Sequence, residues 1–477
     1  MIHKTCKVLM SGILAFGILL NSAGPALAEE GAGIPDDWPQ APQLMGDAAI
    51  LMEAGTGTVL YEKNSYERHY PASITKIMTA LLALENCSMD EMITFSHNSV
   101  YDIDPGCSII GDIDEGDQLS MEKTMYGMML NSGNEAAYGI AEHVSGDLPS
   151  FAEMMNQRAR ELGCLDTHFV NANGLHNDDH YTTAYDMALI SREALKNEEF
   201  RKIVRTVRYT IEPDAYCGEP RYMKNHHKML PGGDYEYPGC IGGKTGYTLR
   251  ANQTLVTFAR RNGIELICVT LNETSPNQFL DTKALLDYGF DQFQRVDVAE
   301  KDTRYLTGQD PGLFPDQLKD AAPFLKLDPS DYVVLPKSAD FADTTSDYQM
   351  SGNGEDAGTV KYYYGGYPVG SAKVVVDVTE EKYIFPVHAA VSGENQAAGE
   401  NAADETSKNG ESKSEAAEKN LDKKGSQEEK KSHPLHTFFI VIGVILGIAA
   451  ALFAAAVIRV RILREKRRRQ KRRKYKR

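Results

Sequence analysis

The chain has 477 residues, 42% of them hydrophobic and 25% charged. At roughly 100–200 residues per domain it has room for about two to four domains, and wholesale disorder is excluded. The formal charge is −16, yet residues 459–477 hold 13 Lys or Arg against one Glu, so the rest of the chain is more acidic still; it lacks the basic face that phosphate binding needs, which excludes nucleic acid as a partner.

Residues 1–28 have the three parts of a secretory signal: Lys4 and Lys7, the apolar stretch Val8–Leu20, and Ala26-Leu27-Ala28 at the cleavage positions. Ala48–Ala54 and Thr58–Tyr61 read as two strands turning at Gly55-Thr56-Gly57. A helix follows, with Ile74, Ile77, Met78, Leu81 and Leu82 recurring at helical spacing. A second helix starts at Ser120, with Met121, Met125, Met128 and Met129 on one face, and residues 134–200 read as mainly helical. Thr254–Phe258 and Ile264–Leu271 flank Asn262-Gly263, a strong hairpin signal. Strands, a helical insertion and strands again predict one sheet built from both ends of this region, with a helical subdomain between.

The character changes near Asp287-Tyr288-Gly289-Phe290. Tyr332–Leu335, Thr359–Tyr364 and Ala372–Val378 then predict a small β-rich domain. From Gly393 to Ser432 the chain is charged and small, a disordered stalk. Leu435–Ile458 carries no formal charge and would span about 36 Å as a helix, enough to cross a hydrocarbon core of about 30 Å. The Lys/Arg cluster behind it predicts a cytoplasmic C-terminus and an exported body. After loss of Cys6 with the signal, Cys87, Cys107, Cys164, Cys217, Cys240 and Cys268 show no CxxC pair and no metal-ligand spacing. Cys268, in an apolar run, reads as a buried free thiol.

Three short elements carry chemistry. Ser73-Ile74-Thr75-Lys76 opens the first helix and puts a hydroxyl and an amine one turn apart, where a Lys of lowered pKa can activate a Ser. Ser132-Gly133-Asn134 follows the Met-rich helix and supplies a hydroxyl and an amide. Lys244-Thr245-Gly246, before the hairpin strands, offers a cation and hydroxyl for a carboxylate and a Gly that admits close backbone approach. Each alone is weak: Ser120-x-x-Lys123 is a second SxxK, and Ser96-x-Asn98, Ser351-x-Asn353 and Ser407-x-Asn409 are further SxN strings. Ser120 reads as a helix cap. Lys-Thr-Gly is expected about 0.1 times by chance in such a chain, and the ordered trio on an exported, tethered chain is specific.

With these motifs the sequence resembles the low-molecular-mass penicillin-binding proteins that act as serine D-alanyl-D-alanine carboxypeptidases. Phe169–His176, Asp178–Asp186 and Asp287–Phe290 are also similar to family segments. The resemblance implies an α/β (α+β) fold of the penicillin-binding and serine β-lactamase type over residues 29–292, followed by a β-rich domain at 293–391; composition and charge add a stalk at 392–434, a transmembrane helix at 435–458 and a tail at 459–477. It implies Ser73 as nucleophile on peptidoglycan stem peptides, Lys76 as base and Ser132 as proton relay. Asn134, Lys244, Thr245, Gly246 and Tyr247 would bind substrate, with the N–H groups of Ser73 and Tyr247 as oxyanion hole. β-Lactams would be covalent inhibitors, the cytoplasmic membrane a partner, and no metal or cofactor is required. The chain departs from the family in crossing the membrane and in reading Tyr247-Thr248-Leu249-Arg250-Ala251-Asn252 where an acidic or Gly-containing turn is usual.

The alternatives are a serine β-lactamase, a D,D-endopeptidase or transpeptidase, and a non-catalytic wall-binding scaffold. A Ser-His-Asp triad using His143, His168 or His176 lacks its G-x-S-x-G elbow, and His180, His226 and His227 lack H-E-x-x-H spacing, so hydrogen-bonding or surface roles are expected. Tyr362-Tyr363-Tyr364 reads as a sheet face, and Asp178-Asp179 as a turn.

Overall fold

The computed structural model describes residues 34–103, 107–111, 113–213, 220–305, 325–350 and 357–376. The signal, residues 377–391 of the expected β-rich domain, the stalk, the apolar stretch 435–458 and the tail lie outside them. No helix among the described residues is long and apolar enough to cross a membrane.

The chain opens with β1 (Ala48–Glu53) and β2 (Val59–Lys63), then α1 (Lys76–Asn86). A ribbon of β3 (Met92–Thr94) and β4 (Gln118–Ser120) leads into α2 (Met121–Leu130), α3 (Asn134–Ser145) and α4 (Leu148–Glu161). After an irregular stretch come α5 (Ala184–Ala194), α6 (Glu198–Arg205) and a ribbon of β5 (Arg208–Ile211) with β6 (Arg221–Lys224). Three long strands follow, β7 (Cys240–Thr248), β8 (Asn252–Arg261) and β9 (Ile264–Glu273), then α7 (Asn277–Gln292). The main sheet runs β2-β1-β9-β8-β7, antiparallel throughout. It is thus assembled from both ends of this region with the helices inserted between, as the strand and helix pattern predicts.

Local chemistry accounts for the boundaries. Ser120 caps α2 by accepting from the Lys123 N–H, so this second SxxK is a capping device. Asn262 and Gly263 turn with φ of 50° and 78°, the pair of left-handed residues that a tight hairpin between β8 and β9 needs. The stretch 134–200 is less helical than expected. Between α4 and α5 the chain is irregular from residue 162 to 183, because Gly163 and the Asn, Asp and Gly of 171–179 favour turns. Strand β7 gives little strand signal in sequence, since Gly242, Gly243 and Gly246 dilute it.

All six residues of β1 are buried, because the sheet is covered on both faces. Ile50 and Met52 face the helical lobe, together with Val256, Phe258, Ile267 and Val269. Ala49 and Leu51 face the other way, with Leu255, Leu266 and the free thiol of Cys268, against Leu285, Leu286 and Phe290 of α7.

A second antiparallel sheet begins at Phe293, directly after α7. It consists of β10 (Phe293–Asp297), β11 (Leu325–Leu327), β12 (Tyr332–Pro336), β13 (Thr344–Met350), β14 (Gly358–Tyr364) and β15 (Tyr367–Val376), ordered β10-β12-β15-β14-β13 with β11 also on β15. Tyr362 is fully buried in its core, as a sheet-face residue should be. Phe293 and Val334 join the α7 core of the main sheet. Trp38 packs tilted against Phe293, with ring centroids 5.1 Å apart, and edge-on against Tyr367 at 5.3 Å. The Tyr332 hydroxyl donates to the buried Glu53 carboxylate at 2.8 Å.

Gly289 explains why its segment carries a family likeness. A Cβ there would lie 2.6 Å from Leu266 Cδ1 and 2.9 Å from Leu51 Cδ2, both leucines being fully buried. Gly289→Ala is expected to overpack this contact and cost about 1–3 kcal/mol. Chemical denaturation reads that loss; an unchanged unfolding midpoint would mean that α7 does not sit on the sheet at Gly289.

Candidate active site

The site forms where the N-terminal ends of α1 and α3 meet the edge strand β7. Ser73 lies in a 3-10 turn, Ala72–Thr75, that leads directly into α1 at Lys76. The hydroxyl therefore sits one turn before the helix proper, with the amine at i+3. Lys76 is fully buried and its Nζ has three partners: Ser73 Oγ at 3.1 Å, Asn134 Oδ1 at 2.9 Å and the Asn173 carbonyl at 2.6 Å. Burial first, and the Lys244 ammonium second, hold its pKa well below the usual lysine value.

Ser132 follows α2 with φ of 59°, and Ala72, before the serine of the first motif, has φ of 51°. Left-handed backbone at non-glycine residues is costly, and it concentrates at functional sites. Lys244 Nζ donates to Ser132 Oγ at 3.2 Å and to the Thr245 carbonyl at 3.0 Å. Lys244 is 1% exposed, and burial pushes its pKa down to about 7. Asn134 begins α3 and anchors itself through Nδ2 to the Ser108 carbonyl at 3.1 Å.

These bonds join Ser73, Lys76 and Asn134 in one group and Ser132 with Lys244 in another, and the two groups are near enough for the Lys244 charge to act on Lys76. Thr245, Gly246 and Tyr247 continue along β7. Gly246 is where strand and serine turn touch: a Cβ there would stand 2.8 Å from the Ser73 nitrogen and 2.3 Å from Thr254 Oγ1. Thr254 in turn donates to the Pro71 carbonyl at 2.8 Å, tying β8 to the turn. The 247–252 turn stays at the rim, with Tyr247 and Leu249 exposed. Asn252, at φ 55°, takes the left-handed conformation for which a glycine would otherwise serve.

Several supporting residues carry no sign of their role in the sequence. Gly174, with φ of 84°, lies so close that a Cβ would fall 1.9 Å from the Ala72 carbonyl oxygen. Beside it, Asn173 gives its carbonyl to Lys76 and Ala172 gives its carbonyl to Thr79 at 2.6 Å. The similarity of the 169–176 segment to the family was visible, but a backbone carbonyl leaves no residue-type signature. His180 is a hydrogen-bonding histidine, as expected. Its Nδ1 accepts from Val170 N at 3.0 Å, so its Nε2 carries the proton and donates to Thr75 Oγ1 at 2.9 Å. Burial lowers its pKa to about 3, so it stays neutral. His227 is likewise buried and neutral, bonded to Thr257 at 3.0 Å.

Comparison with known proteins agrees with this geometry. The D-alanyl-D-alanine carboxypeptidase profile of peptidase family S11 matches residues 36–275. The chain is 32% identical to the D-alanyl-D-alanine carboxypeptidase DacF of Bacillus subtilis, over 60% of this chain and 72% of that one. It is 33% identical to a D-alanyl-D-alanine carboxypeptidase of Streptomyces sp. strain K15, over 52% of this chain and 88% of that one. Among solved structures, the Streptomyces K15 DD-transpeptidase superposes with a TM-score of 0.50 at 33% identity, over 53% of this chain and all of that one. Penicillin-binding protein 6B of Escherichia coli shares the fold with a TM-score of 0.55 at 24% identity, over 72% of this chain and 99% of that one. With the profile spanning half of the sequence and relatives about one-third identical over most of their own length, the chain belongs to the serine D-alanyl-D-alanine carboxypeptidases, penicillin-binding hydrolases of peptidase family S11.

Proposed function

We propose that Ser73 is the nucleophile of this carboxypeptidase and Lys76 its base. The observation that carries the assignment is a fully buried Lys76 amine 3.1 Å from the Ser73 hydroxyl. Burial favours its neutral form, which can take the hydroxyl proton as Ser73 Oγ attacks the carbonyl between the last two D-alanines of a stem pentapeptide. The C–N bond then breaks, and Ser132 relays the proton to the leaving amine. Water afterwards cleaves the acyl ester and restores Ser73.

The other residues orient substrate. Lys244 and Thr245 hold the terminal carboxylate, and an incoming anion favours the charged form of Lys244 that burial disfavours. Asn134 fixes Lys76 through Oδ1 and keeps one amide hydrogen for the substrate backbone. The N–H groups of Ser73 and Tyr247 form the oxyanion hole, each donor worth about 10²–10³ in rate; close contact between Gly246 and the Ser73 nitrogen supports it.

Among the described residues no carboxylate hydrogen-bonds to Ser73, Lys76 or Ser132. Glu135 is held instead by the Ile110 and Gly111 N–H groups. Transpeptidation, named for one solved relative, shares the acyl-enzyme and differs in the acceptor. Ser73→Ala should lower D-alanine release from a pentapeptide by about 10³-fold or more. Release at the wild-type rate would remove Ser73 from the reaction.

The sequence also supports a place for the enzyme. Residues 1–28 direct export, residues 435–458 cross the cytoplasmic membrane, and the basic tail remains inside. The full chain should sediment with membranes, and a chain ended at residue 434 should be released; equal membrane association of both would refute the span.

A further inference from the structure

The helical lobe holds a second group of chemistry-bearing side chains, away from Ser73. Cys87 is the C-terminal cap of α1, Glu91 lies just before β3, and His143 is in the last turn of α3. The Cys87 sulfur, a Glu91 carboxylate oxygen and a His143 ring nitrogen all lie within 4.8 Å of one another. Glu91 Oε2 is 2.9 Å from His143 Nε2. Its Oε1 accepts from the Ser88 backbone N–H at 2.7 Å and from Ser88 Oγ at 3.2 Å, so the carboxylate is held with one oxygen turned towards the histidine.

The Cys87 thiol is itself hydrogen-bonded to Glu91, so all three side chains meet at one carboxylate, and together they offer one sulfur, one nitrogen and one oxygen donor. Hard cations such as Ca²⁺ and Mg²⁺ take oxygen ligands, whereas thiolate, imidazole and carboxylate together suit Zn²⁺. Tetrahedral Zn²⁺ with bonds of about 2.0–2.3 Å sets its ligand atoms about 3.3–3.8 Å apart. The Glu91–His143 pair, at 2.9 Å, must open by about 0.4 Å to admit the ion, while the sulfur already lies within 4.8 Å of both, and side-chain rotation can supply these shifts. The Ser88 bonds to Glu91 are the kind of outer contacts that orient a metal-binding carboxylate. Partial exposure of the Glu91 and His143 side chains, 41% and 24%, leaves room for a water as fourth ligand.

We propose that Cys87, Glu91 and His143 form a Zn²⁺ site that ties together the far ends of α1 and α3. Binding replaces the thiol proton, which is released to solvent as the sulfur–zinc bond forms. The placement gives the metal a structural consequence for catalysis. Helices α1 and α3 begin at Lys76 and Asn134, whose side chains meet at 2.9 Å. Cys87 and His143 lie about 15 Å further along the same two helices, so the metal closes the opposite end of the pair that sets the Lys76–Asn134 distance. The sequence conceals the site because His143 is 52 residues beyond Glu91.

The test uses the full-length, untagged chain in detergent micelles, stripped of metal with EDTA and then titrated with ZnCl₂. Zinc content and the rate of Cys87 alkylation by iodoacetamide, located by peptide mapping, are both followed. One Zn²⁺ per chain should bind and slow Cys87 alkylation at least about tenfold, and Cys87→Ser and His143→Gln should each weaken binding at least about tenfold. Formation of the penicillin adduct reports whether each variant is folded, and protection of Cys87 in the unmodified chain decides the matter if a variant is not. Unchanged Cys87 alkylation in the presence of zinc, or undiminished zinc affinity in folded variants, would overturn the proposal.

Discussion

Lys76 and Lys244 are both buried within one site, and enclosing two ammonium groups beside a pair of serine hydroxyls is the constraint on which the rest of the structure depends. A buried cation lacks the hydration that would stabilise its charge, so its neutral form gains. For Lys76 the Lys244 charge adds to that effect. Asn134 Oδ1 and the Asn173 carbonyl accept from the Lys76 amine and hold it in place, and its third partner is the hydroxyl it would activate. The neutral state of the base and its geometry thus come from the same burial.

That burial requires parts of the chain far apart in sequence to meet at short range. The serine turn and α1 come early, Ser132 and Asn134 stand between two helices, and Lys244 arrives on an edge strand more than a hundred residues later. The sheet permits this because β1 and β9 pair from opposite ends of the region, leaving β7 free at the edge beside the helical lobe. Where the strand and the serine turn touch, Gly246 allows contact that a side chain would prevent, and Gly174 does the same from the other loop. Left-handed Ala72 and Ser132 are strained, and the cores on both faces of the sheet offset that strain.

What could be read in advance follows from the nature of each signal. Ser73 with Lys76, and Ser132 with Asn134, are covalently close, so their spacing alone puts them on one turn. The helix carrying Met121, Met125, Met128 and Met129 and the Asn262-Gly263 hairpin declare themselves through periodicity and backbone preference. Strand β7 did not, because its glycines serve close approach rather than strand propensity. The carbonyls of Asn173 and Ser108 hold Lys76 and Asn134 without any side-chain signature. The cluster of Cys87, Glu91 and His143 was invisible for a third reason: its members come from separate elements that only the folded lobe brings together.

In the proposed mechanism a serine is activated by a lysine whose proton affinity burial has lowered. The direct test is the rate at which penicillin modifies the purified chain, followed by intact mass and peptide mapping across a range of pH. The account predicts an adduct on Ser73, formed at a rate that rises with pH through a midpoint well below the ordinary lysine value of 10.5, as Lys76 sheds its proton. Absence of the adduct from Ser73, or a rate that climbs only as pH approaches 10.5, would contradict it.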